Sequence, residues 1–590
     1  MKRVTAILLS VLCVVSLTSC APASNDDALL TTPATDDTAI ATLPPPIGDE
    51  RMTELRVAIR YETDMNPLYP KHYATRSLLA LVYDTLFRVD HEGKIVPDLA
   101  KSITYDVATM TYRIQIDDGK TFHSGKKLTA QDVRASLLKT ISIMTADLSD
   151  EEPTTDTENG ETDTDRSTVK DEDNKLSMSY EDGAQFQASS FSFMTSLMKK
   201  EYRNIRQVST EGSDVILIEL HRPDPHVIGL LTFPIISESD VNLRSKNPIT
   251  GSGTWQIVST ENGRLVTLER VEKGSGIRRI SAKAFDAIDG AMQAFDDGEI
   301  DVLVLDSSET SLYADRTRIR KQRIDYPGYV SLYFRDDGLD SALLWRDYMI
   351  REIRSDSKGD QFAAPFDRAL FPLLPGDSRL QNVPIPAYAI GDLPVLELPD
   401  DEPEPTETID DAGAPTPVKP DTREPFVLLV PDGFTPYRLV ENIGACASRL
   451  GRRFVPQYVS EEEWTNTLSN YSYDAALLID TSHIFLDPVD YLDGLQDAGL
   501  FDWTEIVDAE DVFTLREAQH LVSLPEGSNL EKFSEITYAQ TVSRVFSSLP
   551  VLGLAITETM VLYGNNVENT MSGSWYSPYE NVEELVVWRP

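Results

Sequence analysis

Histidines are the side chains of this sequence that most readily suggest chemistry, because they bind metals and move protons near neutral pH. His221 and His226 stand five residues apart around prolines, which makes a poor helical metal pair, and no second ligand stands at metal spacing from His123. No H-E-x-x-H or G-x-S-x-G motif occurs. The other histidines are scattered, at His72, His91, His483 and His520. The sequence therefore predicts no metal site, no cofactor and no enzyme.

A turn rich in glycine and lysine offers a second possible chemistry, phosphate binding. Gly119 is followed by Gly125-Lys126-Lys127, which nearly matches a P-loop. The spacing is one residue too long, and the Ser or Thr that follows the P-loop lysine is missing. We interpret the turn as structural, with Phe122 and Leu128 holding it against the core.

The N-terminal residues predict export and lipid attachment. Lys2 and Arg3 precede an apolar run of about a dozen residues, which is too short to span a bilayer but suits a signal peptide. Leu17-Thr18-Ser19-Cys20 resembles a bacterial lipobox, which implies that residues 1–19 are removed and Cys20 carries lipid. The alternative is an ordinary secretory peptide in which Cys20 is incidental. No other cysteine then remains to form a disulfide with Cys446, so no disulfide framework is expected.

Composition separates a folded part from acidic segments. The chain has 590 residues, a formal net charge of −42 and 41% hydrophobic residues, enough for a large core. This charge argues against binding nucleic acid, which needs a basic surface. Much of the acid lies in residues 20–52, 147–175 and 396–424, which are poor in apolar residues. We interpret them as a tether and two solvated insertions; the alternative is a partner-binding acidic arm.

Between these segments the hydrophobic pattern is mixed α/β. Alternating apolar residues predict strands, and apolar residues spaced by three or four predict helices. Strands are predicted at 55–59, 111–116, 215–220, 265–268, 301–305, 426–430 and 454–459. Helices are predicted at 77–83, 129–141, 284–295 and 436–450.

Several of these segments carry motifs that resemble one protein family. Residues 119–133, GKTFHSGKKLTAQDV, resemble its most specific pattern, G-x-x-F-H-x-G-x-x-L-T-A-x-D-V. Weaker matches are VPDLAKS at 96–102, PITGSGTW at 248–255, AFDDGEIDV at 294–302, YDAAL at 473–477 and DPVDYL at 487–492. On these residues the chain is identified as a divergent member of the bacterial extracellular solute-binding proteins of family 5, the oligopeptide- and dipeptide-binding lipoproteins of ABC importers.

The resemblance implies a fold and a division into domains. It implies an α/β, two-lobed periplasmic-binding-protein-like fold of the class II, or cluster C, type, with an extra domain in the first lobe. Domain I is expected to be discontinuous and to combine residues 53–88, 236–325 and 556–590. Domain II is expected at 89–235, with the first acidic insertion, and domain III at 326–555, with the second.

The resemblance also implies a function and a binding site. The chain is expected to capture a peptide or a similar small polar solute in a cleft between its lobes and to deliver it to an ABC permease. It would be a monomer that contacts the cell membrane only through its lipid, on the extracytoplasmic face. The expected ligand contacts are Tyr69, Trp255, Asp480, His483 and Asp487.

One departure from the family affects this expectation. Peptide binders commonly carry G-W-x-x-D before the D-P motif, and its acid pairs with the peptide amine. Here residues 478–486 lack the Gly-Trp, place His483 near the expected acid and leave Asp480 as the nearest carboxylate. The alternative function is a surface lipoprotein that keeps the fold for protein interaction or sensing.

Overall fold

The structure is a computed structural model in which a defined set of residues is described. These are residues 50–145 except 70 and 92, 201–306 except 225 and 226, 309–310, 316, 319–356 except 336 and 337, 370–373, 383–384, 423–432, 437–481, 487–522 and 535–589. Cys20, residues 147–175 and most of 396–424 lie outside this set. The chain divides into units of residues 1–41 and 42–590, and every described residue belongs to the second.

A ten-stranded sheet contains most of the strands. Its order is β15-β14-β16-β13-β17-β12-β2-β11-β10-β9. The strands are β2 (Glu54–Arg60), β9 (Trp255–Glu261), β10 (Leu265–Arg270), β11 (Arg279–Phe285), β12 (Val302–Leu305), β13 (Arg320–Phe334), β14 (Pro425–Pro431), β15 (Arg453–Val459), β16 (Ala475–Thr481) and β17 (Val551–Tyr563).

Two long strands, β13 and β17, connect the part of this sheet formed by β14, β15 and β16 with the part formed by β2 and β9 to β12. The antiparallel strands β13 and β17 pair at both of their ends, and their register shifts between Asp325 and Tyr329. On one side of this shift, residues 328–334 of β13 also pair with β16. On the other side, residues 560–563 of β17 also pair with β12. One hydrophobic core packs around β14, β16 and the later half of β13, and another packs around β2, β10 and β11.

A separate antiparallel sheet has its own core. Its order is β5-β6-β8-β7, and it combines β5 (Ala100–Asp106), β6 (Thr111–Ile116), β7 (Ile205–Glu211) and β8 (Val215–Leu220). Alternate side chains of β6 and β8 are buried, as expected for a sheet with one solvated face. Two small sheets pair β1 (Glu50–Met52) with β18 (Val587–Arg589) and β3 (Phe87–Val89) with β4 (Ile95–Pro97). Glu50–Met52, the first of the described residues, are therefore paired although they lie within the range expected for the tether.

Helices cover the sheets, and among the described residues none is long and apolar enough to cross a membrane. They are α1 (Tyr73–Leu79), α2 (Ala130–Thr145), α3 (Val227–Leu230), α4 (Ile288–Asp296), α5 (Leu339–Asp356), α6 (Tyr437–Arg449), α7 (Glu461–Asn470), α8 (Pro488–Asp497), α9 (Trp503–Ile506), α10 (Ala509–Val522) and α11 (Glu535–Ser547).

The predicted elements are confirmed with two corrections. The helix predicted at 284–295 begins only at Ile288, because Ala284 and Phe285 end β11, which pairs in parallel with β2. The helix predicted at 77–83 spans Tyr73–Leu79 instead, and His72 caps its N-terminus.

Candidate functional site

The site is a cavity of about 850 Å³ whose walls come from distant parts of the chain. Its lining includes the loop after β2, one side of α1, the turn at 119–125, the start of β9 and the loop before β18. A cavity of this size can enclose a small ligand, and cavities between packed elements commonly do so.

Tyr69 lies in the wall of this cavity, as part of the loop that follows β2. The side chain of Asn66 fixes this loop, because its amide accepts a hydrogen bond from the Leu68 N–H and donates to the Leu243 carbonyl. Tyr69 is only 5% exposed, and the guanidinium carbon of Arg244 lies 3.7 Å from its ring centroid. Stacking on a cation fixes the plane of the ring.

Trp255 lies in the same wall, at the first position of β9, and is buried. The backbone N–H of Trp255 donates to the Leu81 carbonyl, and the backbone N–H groups of Ser252 and Gly253 donate to the Val82 carbonyl. The structure therefore brings Tyr69 and Trp255 together, although they lie far apart in the sequence. Their role as ligand contacts stays a prediction.

His123 has the structural role expected for it. Its backbone N–H donates to the Gly251 carbonyl at 2.8 Å, and its ring Nε2 lies 2.9 Å from the Gly253 carbonyl oxygen. Phe122 and Leu128, on either side of the turn, are 2% and 0% exposed. These contacts join the turn to the segment that leads into Trp255.

Replacing Gly253 with alanine should destabilise this wall. A Cβ at Gly253 would lie 2.5 Å from the Leu81 carbonyl oxygen, which is backbone and cannot move aside cheaply. We expect a loss of about 1–3 kcal/mol in the free energy of unfolding, as for other overpacked sites. Chemical denaturation of Gly253→Ala measures it. Gly338→Ala is the control, because a Cβ there meets nothing within 4 Å; equal stability of both variants would contradict the prediction.

Most charged side chains in the cavity wall are paired with each other. Lys120 lies 2.9 Å from Asp84, and Arg88 lies 3.0 Å from Glu580. Arg270 lies 3.3 Å from Glu583. Burial raises the pKa of the Asp84 carboxyl, although Lys120 acts in the opposite direction. These pairs leave little net charge in this part of the wall.

Arg76 differs from these residues. It lines the cavity from α1, and its guanidinium carbon lies 5.2 Å from the ring centroid of Tyr73. Within the described part of the chain, no carboxylate pairs with it, and its buried Nε and Nη2 atoms have no hydrogen-bond acceptor. Buried donors without acceptors are costly, so they point to a partner that completes the site.

Arg76 was not predicted from the sequence as a site residue. Residues 73–83 are otherwise mostly apolar and small, so a single arginine within them is the signal that could have identified it. Arginine is seldom buried without a partner, and a helix with one buried arginine suggests a ligand or an ion pair.

Two of the remaining predicted contacts, Asp480 and Asp487, do not line this cavity. Asp480 is 2% exposed on β16, opposite Tyr329 of β13, and does not line this cavity. Asp487 caps α8: its Oδ1 accepts from the Val489 N–H and from Gln519 Nε2. His483 lies outside the described residues. A binding role for these three stays a prediction.

One known protein family matches part of the chain. The family described as "Bacterial extracellular solute-binding proteins, family 5 Middle" matches residues 94–338. This range contains the G-x-x-F-H turn and most of the weaker motifs, so the resemblance inferred from them is confirmed. No curated protein is similar enough to match.

Solved structures with the same fold cover nearly the whole chain. HbpA2 from Haemophilus parasuis has a TM-score of 0.60 and 13% identity, covering 91% of this chain and 100% of its own. The substrate-binding protein CtaP from Listeria monocytogenes has a TM-score of 0.57 and 15% identity, covering 92% and 100%. A nickel ABC transporter protein from Bacillus halodurans has a TM-score of 0.57 and 16% identity, covering 91% and 100%. At such low identity the likeness shows the fold, and the predicted two-lobed α/β class is confirmed.

Proposed function

We propose that this chain, in which residues 94–338 match the model of the bacterial extracellular solute-binding proteins of family 5, is the solute-binding component of an ABC importer. It captures a small polar solute outside the cytoplasmic membrane and delivers it to a permease. It works as a monomer and as a binding protein, not as an enzyme. The solved relatives include proteins described as parts of ABC transporters, which supports this assignment.

The observation that carries the proposal is the cavity with Arg76 in its wall. The cavity is large enough for a small solute, and Tyr69 and Trp255 supply aromatic surface. Few polar groups are needed to orient a ligand when the rest of the site is apolar. Arg76 lines the cavity and pairs with no carboxylate in the described part of the chain, and a guanidinium matches a carboxylate or another planar anion, which it can bind through two parallel hydrogen bonds. The solute therefore carries an acidic group.

Asp480 and His483, the ligand contacts predicted from the sequence, are compatible with an acidic solute. If Asp480 or His483 contacts the solute from another part of the site, the solute also carries a positive group, as a peptide or amino acid does. Substituting Asp480 would then weaken binding of a solute with a free amine. Substituting His483 would make binding less dependent on pH between about 5 and 8.

A binding screen tests the proposed function. Calorimetry of the purified protein against short peptides, organic acids and metal chelates should identify a ligand that binds one per chain. Amides of the same acids should bind more weakly, because they lack the charge that pairs with Arg76. Failure of every solute to bind would favour the alternative, a surface lipoprotein that keeps the fold for protein interaction.

Attachment through Cys20 is a second part of the proposal. The lipobox at residues 17–20 implies that the mature chain begins with an acylated cysteine, and two or three acyl chains anchor a protein firmly. We expect Cys20→Ala to move the protein from the membrane fraction to the soluble fraction or the medium. Immunoblots of the fractions measure this, with Cys446→Ala as the matched cysteine control. Unchanged membrane retention of Cys20→Ala would refute lipid attachment at this residue.

A further inference from the structure

Three side chains from two distant parts of the sequence meet at the N-terminus of α1. The Nε2 atom of His72 lies 3.4 Å from Asp306 Oδ2 and 3.5 Å from Glu309 Oε1. All three atoms lie within 4.8 Å of one another. Asp306 and Glu309 follow β12. None of the three residues lines the cavity described above, so this cluster is separate from the proposed solute site.

Local hydrogen bonds orient both carboxylates. The Glu309 N–H donates to Asp306 Oδ1 at 2.8 Å, and the Asp306 N–H donates to Glu309 Oε2 at 3.1 Å. This reciprocal arrangement is a capping box, which holds each side chain by one of its oxygens. The second oxygen of each carboxylate faces His72. Two anionic oxygens are thus held on the same side of one imidazole.

The backbone also holds the histidine in place. The His72 N–H donates to Glu62 Oε1 at 2.9 Å, and Glu62 is 8% exposed. The His72 ring caps α1, because its Nδ1 lies 3.4 Å from the Ala74 N–H that points toward it. His72 therefore reaches the carboxylates from a rigid helix end, as a preformed ligand site requires.

The distances fit a small divalent cation. Zinc binds histidine nitrogen and carboxylate oxygen at about 2.0–2.2 Å, so two ligands at the corners of a tetrahedron lie about 3.4 Å apart. The two separations from His72 match this spacing. We propose that His72, Asp306 and Glu309 bind a divalent transition-metal ion such as Zn²⁺, with a fourth position open to water or another donor. Calcium and magnesium fit poorly, since they prefer six or more oxygen ligands.

A proton competes with the metal for this site. Burial alone lowers the pKa of His72, but hydrogen bonds to Asp306 and Glu309 outweigh burial and raise this pKa to about 9. Metal binding displaces a proton from a histidine ligand, as in other metal sites. A metal ion on Nε2 leaves the remaining imidazole proton on Nδ1, which cannot then accept from the Ala74 N–H. The hydrogen bond from the His72 backbone N–H to Glu62 is the contact that can hold the residue in place in both the protonated and the metal-bound forms.

Zinc titration of the full chain tests the site. The protein is purified without a histidine tag, dialysed against a chelator and titrated with Zn²⁺ at pH 8 by calorimetry. We expect one zinc ion per chain, unaffected by equal concentrations of Ca²⁺ or Mg²⁺. His72→Gln, Asp306→Asn and Glu309→Gln should each weaken zinc binding by more than about 100-fold, the upper end of what a change outside the ligand set costs. The two amides keep an oxygen for the capping box.

Controls separate loss of a ligand from loss of the fold. His221→Gln removes an exposed histidine and should leave zinc binding unchanged, and thermal melting shows whether each variant is folded. For any variant that unfolds, Co²⁺ binding to the wild type is decisive: a four- or five-coordinate site absorbs visible light far more strongly than hexaaqua Co²⁺. Absence of stoichiometric zinc, undiminished zinc binding by folded variants, or a hexaaqua spectrum would each overturn the proposal. The cluster would then be a proton-bridged ion pair.

Discussion

Asp301→Asn should lower the free energy of unfolding at pH 7 by about 3–5 kcal/mol, the usual cost of removing one partner from a buried ion pair. Asp301 is fully buried between β2 and the end of the chain. Its carboxylate accepts from the backbone and guanidinium of Arg56, from Asn566 and from Arg589, at 2.7–3.2 Å. An asparagine there would lose the charge and turn an amide N–H₂ toward these donors.

The same carboxylate makes stability depend on acid pH. Burial alone raises the pKa of Asp301, but hydrogen bonds from Arg56 and Asn566 outweigh burial and hold the pKa below its usual range. A carboxyl whose pKa is lowered by folding stabilises the protein above its unfolded pKa, about 3.9. That stabilisation is lost as the pH falls through the lower, folded value. The difference between wild type and Asp301→Asn should therefore be full at pH 7 and shrink below about pH 4.

Urea denaturation at pH 7 and pH 3 measures both effects. Asp286→Asn is the matched control, because the Asp286 side chain is 72% exposed and pairs with Arg264 at the surface. Exposed pairs contribute little, so the control should lie within about 0.5 kcal/mol of the wild type. A loss at Asp301 no larger than that of the control would contradict the account of this network.

Arg76→Gln should weaken binding of the acidic solute by about thirty-fold or more. Removing one partner of a buried, hydrogen-bonded charge pair costs about 2–5 kcal/mol, and each 1.4 kcal/mol is tenfold in affinity. Arg76→Lys should recover part of this loss, because an ammonium keeps the charge but not the planar pair of donors. Glutamine keeps a polar group but is shorter than arginine, so Arg76→Lys is also the comparison that keeps most of the side-chain length.

Changing both the solute and Arg76 shows whether the acidic group of the solute contacts Arg76. The solute and its amide are titrated by calorimetry into wild type and Arg76→Gln. If the acidic group contacts Arg76, the amide binds the wild type weakly, and Arg76→Gln does not weaken its binding further. The effects of two changes to one contact do not add. Arg113→Gln is the control: Arg113 is exposed on β6 and pairs with Glu211. Equal losses for acid and amide would place Arg76 outside the contact.

Local pattern was enough to predict much of the fold. Every second side chain of the strands at 111–116 and 215–220 is buried, and the predicted bounds of these strands are those of β6 and β8. The start of α4 was predicted too early because Ala284 and Phe285 suit either element; pairing with β2 decides for a strand. Such pairings are tertiary and cannot be read from one segment.

The candidate sites were harder to predict than the elements. Tyr69 and Trp255 were selected from motif order, and they share a wall because the Trp255 segment hydrogen-bonds to residues 81 and 82. The His72 cluster escaped prediction because His72 is far from Asp306 and Glu309 in the sequence and only the fold brings them together. Asp306 and Glu309 do carry a capping-box spacing, but that spacing alone indicates a helix start and no metal.

Native mass spectrometry of the protein as purified tests the central claim most directly. The account predicts a population whose mass exceeds that of the lipidated chain by one small molecule, and this excess disappears on unfolding while covalent lipid stays. Fragmentation of the released molecule should reveal an acidic group, and Arg76→Gln should carry much less of it. A protein that purifies without a small molecule, and that binds none of the screened acids, would contradict a solute-binding role for this cavity.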